Sequence, residues 1–108
     1  MKKCEIWTAE FSQIASGHEQ TGFRPAIILA EIASFAVVIP LSTNLQTLKF
    51  PYTLEIMPSG KNKLKELSIA LVFQIRAIDK KRIKNKIGDT ESGLLIEIER
   101  MLRRLLQI

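Results

Sequence analysis

The 108-residue sequence contains one cysteine and one histidine. Cys4 has no second cysteine to pair with, which excludes an internal disulfide and makes the cytoplasm the expected compartment. The sequence offers neither a set of metal-ligand residues at suitable spacing nor a glycine-rich phosphate loop, so we expect no metal and no cofactor. No apolar run approaches the roughly 20 residues of a membrane helix, and no apolar segment follows the first lysines, so we expect no membrane span and no signal peptide. The sequence predicts one soluble domain, residues 1–108, with a modest core.

The charge is unevenly distributed along the chain. The net charge is +5, with an isoelectric point near 9.6. Residues 1–54 hold four basic and four acidic side chains, whereas residues 55–108 hold twelve basic and seven acidic ones. A one-sided basic surface favours an anionic partner, nucleic acid above all, and its alternative explanation is simple solubility.

Short apolar segments separated by turn residues predict a mostly β fold. Four segments have the alternation or β-branched composition of strands, at residues 5–11, 26–31, 34–40 and 52–56. Residues 12–24 are predicted to be a loop, and Pro40 is expected to end its strand because proline cannot donate to a ladder. Residues 67–79 fit a strand and a helix about equally well.

The last segment predicts an amphipathic helix. Leu94, Ile98, Leu102 and Leu105 lie on one helical stripe, as core-packing residues usually do. Ser92 or Asp89 could cap the start of this helix. Four or five strands and one C-terminal helix indicate a small α+β barrel or sheet with a helix packed on it.

Several motifs, in their order along the chain, resemble those of the MazF/PemK toxins of bacterial and archaeal toxin–antitoxin systems. They are EIW at residues 5–7, GHEQ at 17–20, GFRP and AIIL at 22–29, PLST at 40–43, SIAL at 68–71, QIRAIDK at 74–80 with Arg82, and IG at 87–88. The resemblance implies an SH3-like barrel with a C-terminal helix, usually assembled as a homodimer, and it makes residues 67–79 mostly strand. It also implies a metal-independent, sequence-specific endoribonuclease that cleaves single-stranded mRNA and is inhibited by a cognate antitoxin.

Carried over to this sequence, the resemblance places catalysis on Arg24 and Ser42. The planar guanidinium of Arg24 matches two phosphate oxygens and would stabilise the charge that builds up on a phosphorane, whereas a guanidinium, which stays protonated in proteins, is a poor general base. Ser42 stands where the family has a catalytic threonine, so the hydroxyl is kept but the rotamer stiffness of a β-branched side chain is lost. Thr43 is a substitute hydroxyl, although neighbouring strand residues point to opposite faces.

The loop before Arg24 carries the other polar candidates. His18 has the pKa range for proton transfer at neutral pH and is treated as an optional catalytic helper. Glu19 is expected to hold Arg24 or a backbone amide in place, and Gln20 is a candidate for contacting a base edge. Each of the three is also compatible with an ordinary loop role.

A basic run supplies further candidates for substrate binding. Lys80, Lys81 and Arg82 are predicted to hold RNA phosphates or the antitoxin, with a solvated loop as the alternative. Trp7 and Phe11 are potential base-stacking residues, although aromatic side chains in a first strand are more often part of the core.

The sequence also departs from the family in ways that keep other functions open. An arginine and an aspartate proposed as an acid–base pair in the PemK branch are replaced by Leu71 and Phe73, so a mechanism that uses this pair is excluded. The connection at residues 32–34 is short. One alternative is a catalytically degenerate member that only binds RNA or antitoxin. Another is a gyrase inhibitor like CcdB, which the LQI ending disfavours because CcdB toxins end in tryptophan-glycine-isoleucine.

Overall fold

The computed structural model describes residues 1–11 and 22–108, and these residues form an antiparallel sheet followed by one helix. The strands are β1 (Glu5–Phe11), β2 (Gly22–Ile32), β3 (Phe35–Ser42), β4 (Thr53–Ile56), β5 (Ser68–Leu71), β6 (Arg76–Asp79) and β7 (Ile83–Asp89), and the helix is α1 (Ser92–Leu106). Short 3₁₀ segments lie at Leu45–Lys49, Val72–Gln74 and Lys80–Arg82. The predicted mostly β fold with a C-terminal helix is confirmed.

The connection between β6 and β7 closes part of this sheet into a barrel. Strand β2 lies between β1 and β3, β6 pairs with the outer edge of β3, and β7 pairs with the outer edge of β1. Only the 3₁₀ segment Lys80–Arg82 joins β6 to β7. Because so short a connection cannot cross a flat sheet, the sheet curls until its two edges meet, as in an SH3-like barrel.

The alternation of side chains along the strands produces two cores. The barrel interior is filled by small and aliphatic side chains and one aromatic ring: Ala9, Phe11, Ala26, Ile28, Ala36, Val38, Ile78 and Ile83. The other face of the same strands carries Ile6, Ile27 and Ile39, which are fully buried together with Ile98 of α1. Each such aliphatic side chain contributes about 1.5–3 kcal/mol through burial, so the helix is held on the outside of the barrel.

Several predicted boundaries were wrong. Residues 22–24, which were predicted to be loop, begin strand β2, and the rest of that prediction, residues 12–21, lies outside the described residues. Pro40 lies within β3 instead of ending it. Residues 67–79 are two short strands around a 3₁₀ segment, which confirms the largely extended conformation that the resemblance implied. The basic run after residue 79 is a 3₁₀ segment and a seventh strand, because Ile83 faces the barrel core while its lysine neighbours face solvent.

The expected helix start also needs correction. Glu91 occupies the N-cap position without a capping hydrogen bond from its side chain, and Ser92 is the first helical residue. The predicted apolar stripe does pack on the barrel through Leu94, Ile98 and Leu102. No helix among the described residues is long and apolar enough to cross a membrane.

A buried asparagine organises the loop after β4, and the loop is joined to β7 by the Asp89 backbone N–H, which donates to the Lys61 carbonyl oxygen at 3.0 Å. The side-chain oxygen of Asn62 accepts the backbone N–H groups of Ser59 (2.9 Å) and Leu64 (3.0 Å), and its amide nitrogen donates to the Met57 carbonyl oxygen (2.9 Å). A Cβ atom on Gly88 would lie 2.3 Å from the backbone carbonyl oxygen of Asn62. Residue 88 therefore has to be glycine for this loop to dock.

We predict that Gly88→Ala destabilises the protein by about 1–3 kcal/mol, since the new methyl group would force two backbones apart. Gly93→Ala is the matched control, because a Cβ there meets nothing within 4 Å and alanine favours the helix. Urea denaturation of both variants measures the difference. Equal stability of the two variants would contradict the close approach.

A charged cluster near the N-terminus joins β1 to β7. The Glu5 carboxylate accepts hydrogen bonds from the Trp7 indole N–H (2.9 Å) and the Lys2 backbone N–H (2.8 Å), and it pairs with Lys86 at 3.1 Å. The indole hydrogen bond is the largest of the effects that lower the pKa of Glu5 to about 2. A carboxylate with a lowered pKa in the folded state stabilises the fold above its unfolded pKa and loses this contribution as the pH falls.

We therefore predict that wild-type stability falls between about pH 4.5 and pH 2 partly through protonation of Glu5. Glu5→Gln should flatten this part of the profile, because the amide does not titrate. Glu55→Gln, on the exposed part of β4, serves as the control. Unfolding free energies measured in urea at stepped pH test this, and identical acid slopes in wild type and Glu5→Gln would contradict it.

Candidate active site

The start of β2 and the end of β3 form the walls of a polar cavity. The pairing of Ala26 with Pro40, continued two residues, sets Arg24 opposite Ser42. Both line a cavity of about 430 Å³. The complete lining is Phe23, Arg24, Pro25, Leu41, Ser42, Thr43, Asn44 and Ser68. The structure thus brings together the two residues that the sequence singled out for catalysis, from positions 18 residues apart in the chain.

Arg24 is exposed and held by its own strand. It pairs with Ala9 of β1, and the following Pro25 restricts the backbone next to it. One guanidinium nitrogen donates to the Phe23 carbonyl oxygen at 3.0 Å. This bond uses one of the five N–H donors of an arginine side chain, and the delocalised charge can act on an anion in the cavity.

Ser42 is a buried hydroxyl residue of the cavity, with 5% of its surface exposed. Its oxygen accepts the backbone N–H of Asn44 at 3.0 Å. Because a hydroxyl that accepts one bond can still donate its proton, Ser42 is suited to donate to an anionic oxygen.

Thr43 lies on the same cavity. It follows the last residue of β3, so strict alternation between opposite faces does not apply to it, and its side chain is exposed. Ser42 and Thr43 both line the cavity, which departs from the expectation that adjacent residues would diverge. Together with Ser68, which also lines the cavity, these residues offer three hydroxyls next to one fixed cation.

The other predicted site residues are not among the described residues that line this cavity. His18, Glu19 and Gln20 fall outside the described residues. Lys80, Lys81 and Arg82 are not among the residues that line the cavity. Lys80 pairs with Glu31 at 3.2 Å.

Arg82 and the aromatic candidates have different surroundings from the predicted ones. Arg82 contributes to a separate cavity of about 330 Å³ that Arg76 and Asp79 also line. Phe11 is 2% exposed and belongs to the barrel core, and Trp7 donates to Glu5. These contacts give Trp7 and Phe11 the core and structural roles that the sequence had left as the commoner alternative.

The two residues that replace the PemK acid–base pair have packing roles. Leu71 is fully buried, and Phe73 packs against Phe50 with ring centroids 5.3 Å apart. Leu71 therefore belongs to the buried interior, and Phe73 is half-buried in an aromatic pair. Among the described residues, no group of three or more histidine, cysteine, aspartate or glutamate side chains is arranged to hold a metal ion.

Three cavity residues were not predicted from the sequence. Phe23 is 57% exposed beside Arg24, Asn44 follows the two hydroxyl residues, and Ser68 approaches from β5. The position of Phe23 directly before Arg24 was a usable signal. Ser68 is 26 residues from Ser42 in sequence, and only the pairing of β3 with β5 brings them together.

The small curled sheet carries an arginine and hydroxyl groups at its strand ends, and such side chains are able to bind a phosphate-like anion. A sequence model of the PemK-like, MazF-like toxins of type II toxin–antitoxin systems matches residues 2–106. The chain therefore belongs to this toxin family.

Individual relatives agree with the family assignment. The chain is 29% identical over 107 residues to a curated protein named Endoribonuclease MazF from Staphylococcus epidermidis, an alignment that covers 94% of this chain and 88% of the relative.

Solved structures share the fold. A crystal structure of MazF from Deinococcus radiodurans superposes with a TM-score of 0.80 at 21% identity, covering 100% of this chain and 97% of the other. A mycobacterial endoribonuclease in complex with its cognate antitoxin superposes with a TM-score of 0.69 at 16% identity, covering 98% of this chain and 92% of the other. These similarities confirm the barrel with a C-terminal helix.

Proposed function

We propose that the cavity between β2 and β3 is the active site of a sequence-specific, metal-independent endoribonuclease, and that Arg24 and Ser42 act in it. The chain is a MazF-like endoribonuclease toxin of a toxin–antitoxin module. The observation that carries the site assignment is the presence of a guanidinium and a buried hydroxyl in one polar cavity. The whole chain, residues 1–108, acts as a single toxin domain.

The reaction transfers a phosphoryl group within the RNA backbone. The 2′-oxygen of a ribose forms a bond to the adjacent phosphorus as its proton is removed, and the bond to the 5′-oxygen breaks as that oxygen gains a proton. The products carry a 2′,3′-cyclic phosphate and a 5′-hydroxyl. Water is not consumed in this step, so the cavity has to stabilise charge and move protons.

Arg24 and Ser42 have separate parts in this reaction. The guanidinium of Arg24 stabilises the two negative charges that develop on the phosphorane oxygens. The hydroxyl of Ser42 donates to one of these oxygens and orients the phosphate. His18 is the candidate for moving the protons, because its ordinary pKa lies near neutral pH.

Substrate binding extends around the cavity. The exposed ring of Phe23 provides a face on which a base can stack, a contact worth about 1–3 kcal/mol. Thr43 binds the phosphate, and Glu19 and Gln20 are further candidates for binding the RNA. Lys80, Lys81 and Arg82 hold neighbouring phosphates of a longer RNA.

The proposed function includes two protein partners, an antitoxin and a second copy of the toxin. A cognate antitoxin binds the toxin, as one binds the mycobacterial endoribonuclease that shares this fold. In this protein, antitoxin binding blocks cleavage. The toxin assembles as a homodimer and acts in the cytoplasm, where its single-stranded mRNA substrate is found.

Cleavage of a long defined RNA in the presence of EDTA tests the role of Arg24. We predict discrete cuts by wild type and a loss of rate of at least about 100-fold in Arg24→Ala, because a preorganised charge at a transition state is worth that much. Arg104→Ala, an exposed arginine in the last turn of α1, should retain the wild-type rate. Intact RNA with excess wild-type protein would overturn the nuclease assignment and favour a degenerate binder.

A second experiment distinguishes the contribution of the Ser42 hydroxyl from that of the Thr43 hydroxyl. We predict that Ser42→Ala lowers kcat by about 10- to 100-fold, since a hydrogen bond to a charged group contributes about 1.5–3 kcal/mol. Thr43→Val should mainly raise KM. Steady-state kinetics on a short fluorogenic RNA measure both, and a larger loss of kcat in Thr43→Val would transfer the catalytic hydroxyl to Thr43.

A further inference from the structure

The side chain of Ser42 does not by itself restrict the direction of its catalytic hydroxyl. A serine side chain has three staggered rotamers, whereas the second heavy atom on the Cβ of threonine restricts the choice. Ser42 nevertheless makes a defined contact, because its oxygen accepts the Asn44 backbone N–H at 3.0 Å. This hydrogen bond favours the rotamer in which the oxygen lies over the turn after β3.

The backbone of Asn44 is itself held by three hydrogen bonds to the 3₁₀ segment Leu45–Lys49. The side-chain oxygen of Asn44 accepts the Gln46 backbone N–H at 3.0 Å. Its carbonyl oxygen accepts both the Thr47 backbone N–H (3.0 Å) and the Thr47 hydroxyl (2.7 Å). The N–H group that holds Ser42 therefore belongs to a residue whose orientation is set from the other side.

We propose that Asn44 is a positioning residue, which selects the Ser42 rotamer through its backbone N–H. It thereby restricts the Ser42 side chain as the methyl group of a threonine would. The proposal deepens the proposed function and rests on it, because the aimed hydroxyl matters only if Ser42 contacts the phosphate. Asn44 need not contact the reacting atoms for this role.

The effect of substituting Asn44 on kcat should therefore depend on which residue occupies position 42. In Asn44→Ala the cap on the 3₁₀ segment is lost and the turn can relax, so the Ser42 oxygen spends less time in the productive rotamer. A cap contributes about 1 kcal/mol, which corresponds to a fall of about fivefold in kcat. KM should change by less than about twofold, since Asn44→Ala removes no charge from the cavity.

The first part of the test is a kinetic cycle in two backgrounds, measured on the same fluorogenic RNA. In the wild-type background, Asn44→Ala should lower kcat about fivefold, and Asn44→Ser should restore it, because serine caps nearly as well as asparagine. In a Ser42→Thr background, Asn44→Ala should change kcat by less than about twofold, because the threonine methyl group fixes the side chain. Equal losses of kcat in both backgrounds would overturn the proposal.

The second part does not depend on activity. The Hα–Hβ scalar couplings of Ser42, measured by NMR, should indicate one rotamer in wild type and in Asn44→Ser, and averaging in Asn44→Ala. Unchanged couplings in Asn44→Ala would overturn the positioning role even if cleavage slows. If wild type leaves RNA intact, the proposed function fails on that result, while the couplings still decide whether Asn44 sets the Ser42 rotamer.

Discussion

The whole architecture depends on strand β3 changing its partner near Pro40. Residues 35–38 of β3 pair with β6, whereas Leu41 and Ser42 pair with β5. Pro40 lies between these two ladders and has no N–H to donate to a neighbouring strand. The first half of β3 thereby closes the barrel, and the second half builds the β4–β5 layer. Ser42 stands at the end of this second half.

The same constraint explains why the candidate site is rigid. Ala26 and Leu41, buried beside Arg24 and Ser42, tie these cavity residues to the cores of the fold. Groups that must meet a phosphate within a fraction of an ångström are best carried on packed strands. The turn after Ser42 adds the last restraint, since Asn44 connects the strand end to the 3₁₀ segment. The Ser42 hydroxyl and the Arg24 guanidinium are consequently held from opposite sides of one cavity.

Local pattern was a good guide where one face of an element is buried, and a poor one where tertiary pairing decides. The alternation in residues 5–11 and the stripe through Ile98 predicted β1 and α1. Pro40 was expected to end a strand, because the sequence shows that proline lacks an N–H donor. The sequence does not show that β3 changes its partner strand near Pro40, which allows the strand to continue. The resemblance identified Arg24 and Ser42. Asn44 and Ser68 were missed, because their proximity to the cavity arises from a turn and from β-sheet register, whereas Phe23 was missed although it directly precedes Arg24.

The most direct test of the account is a crystal structure of the toxin with an RNA whose attacking 2′-hydroxyl is replaced by hydrogen, so that it binds without being cleaved. The account predicts that the scissile phosphate lies in the cavity between β2 and β3, with its oxygens within hydrogen-bonding distance of the Arg24 guanidinium and the Ser42 hydroxyl. A scissile phosphate bound at another surface, with this cavity empty of RNA, would contradict the assignment of the active site.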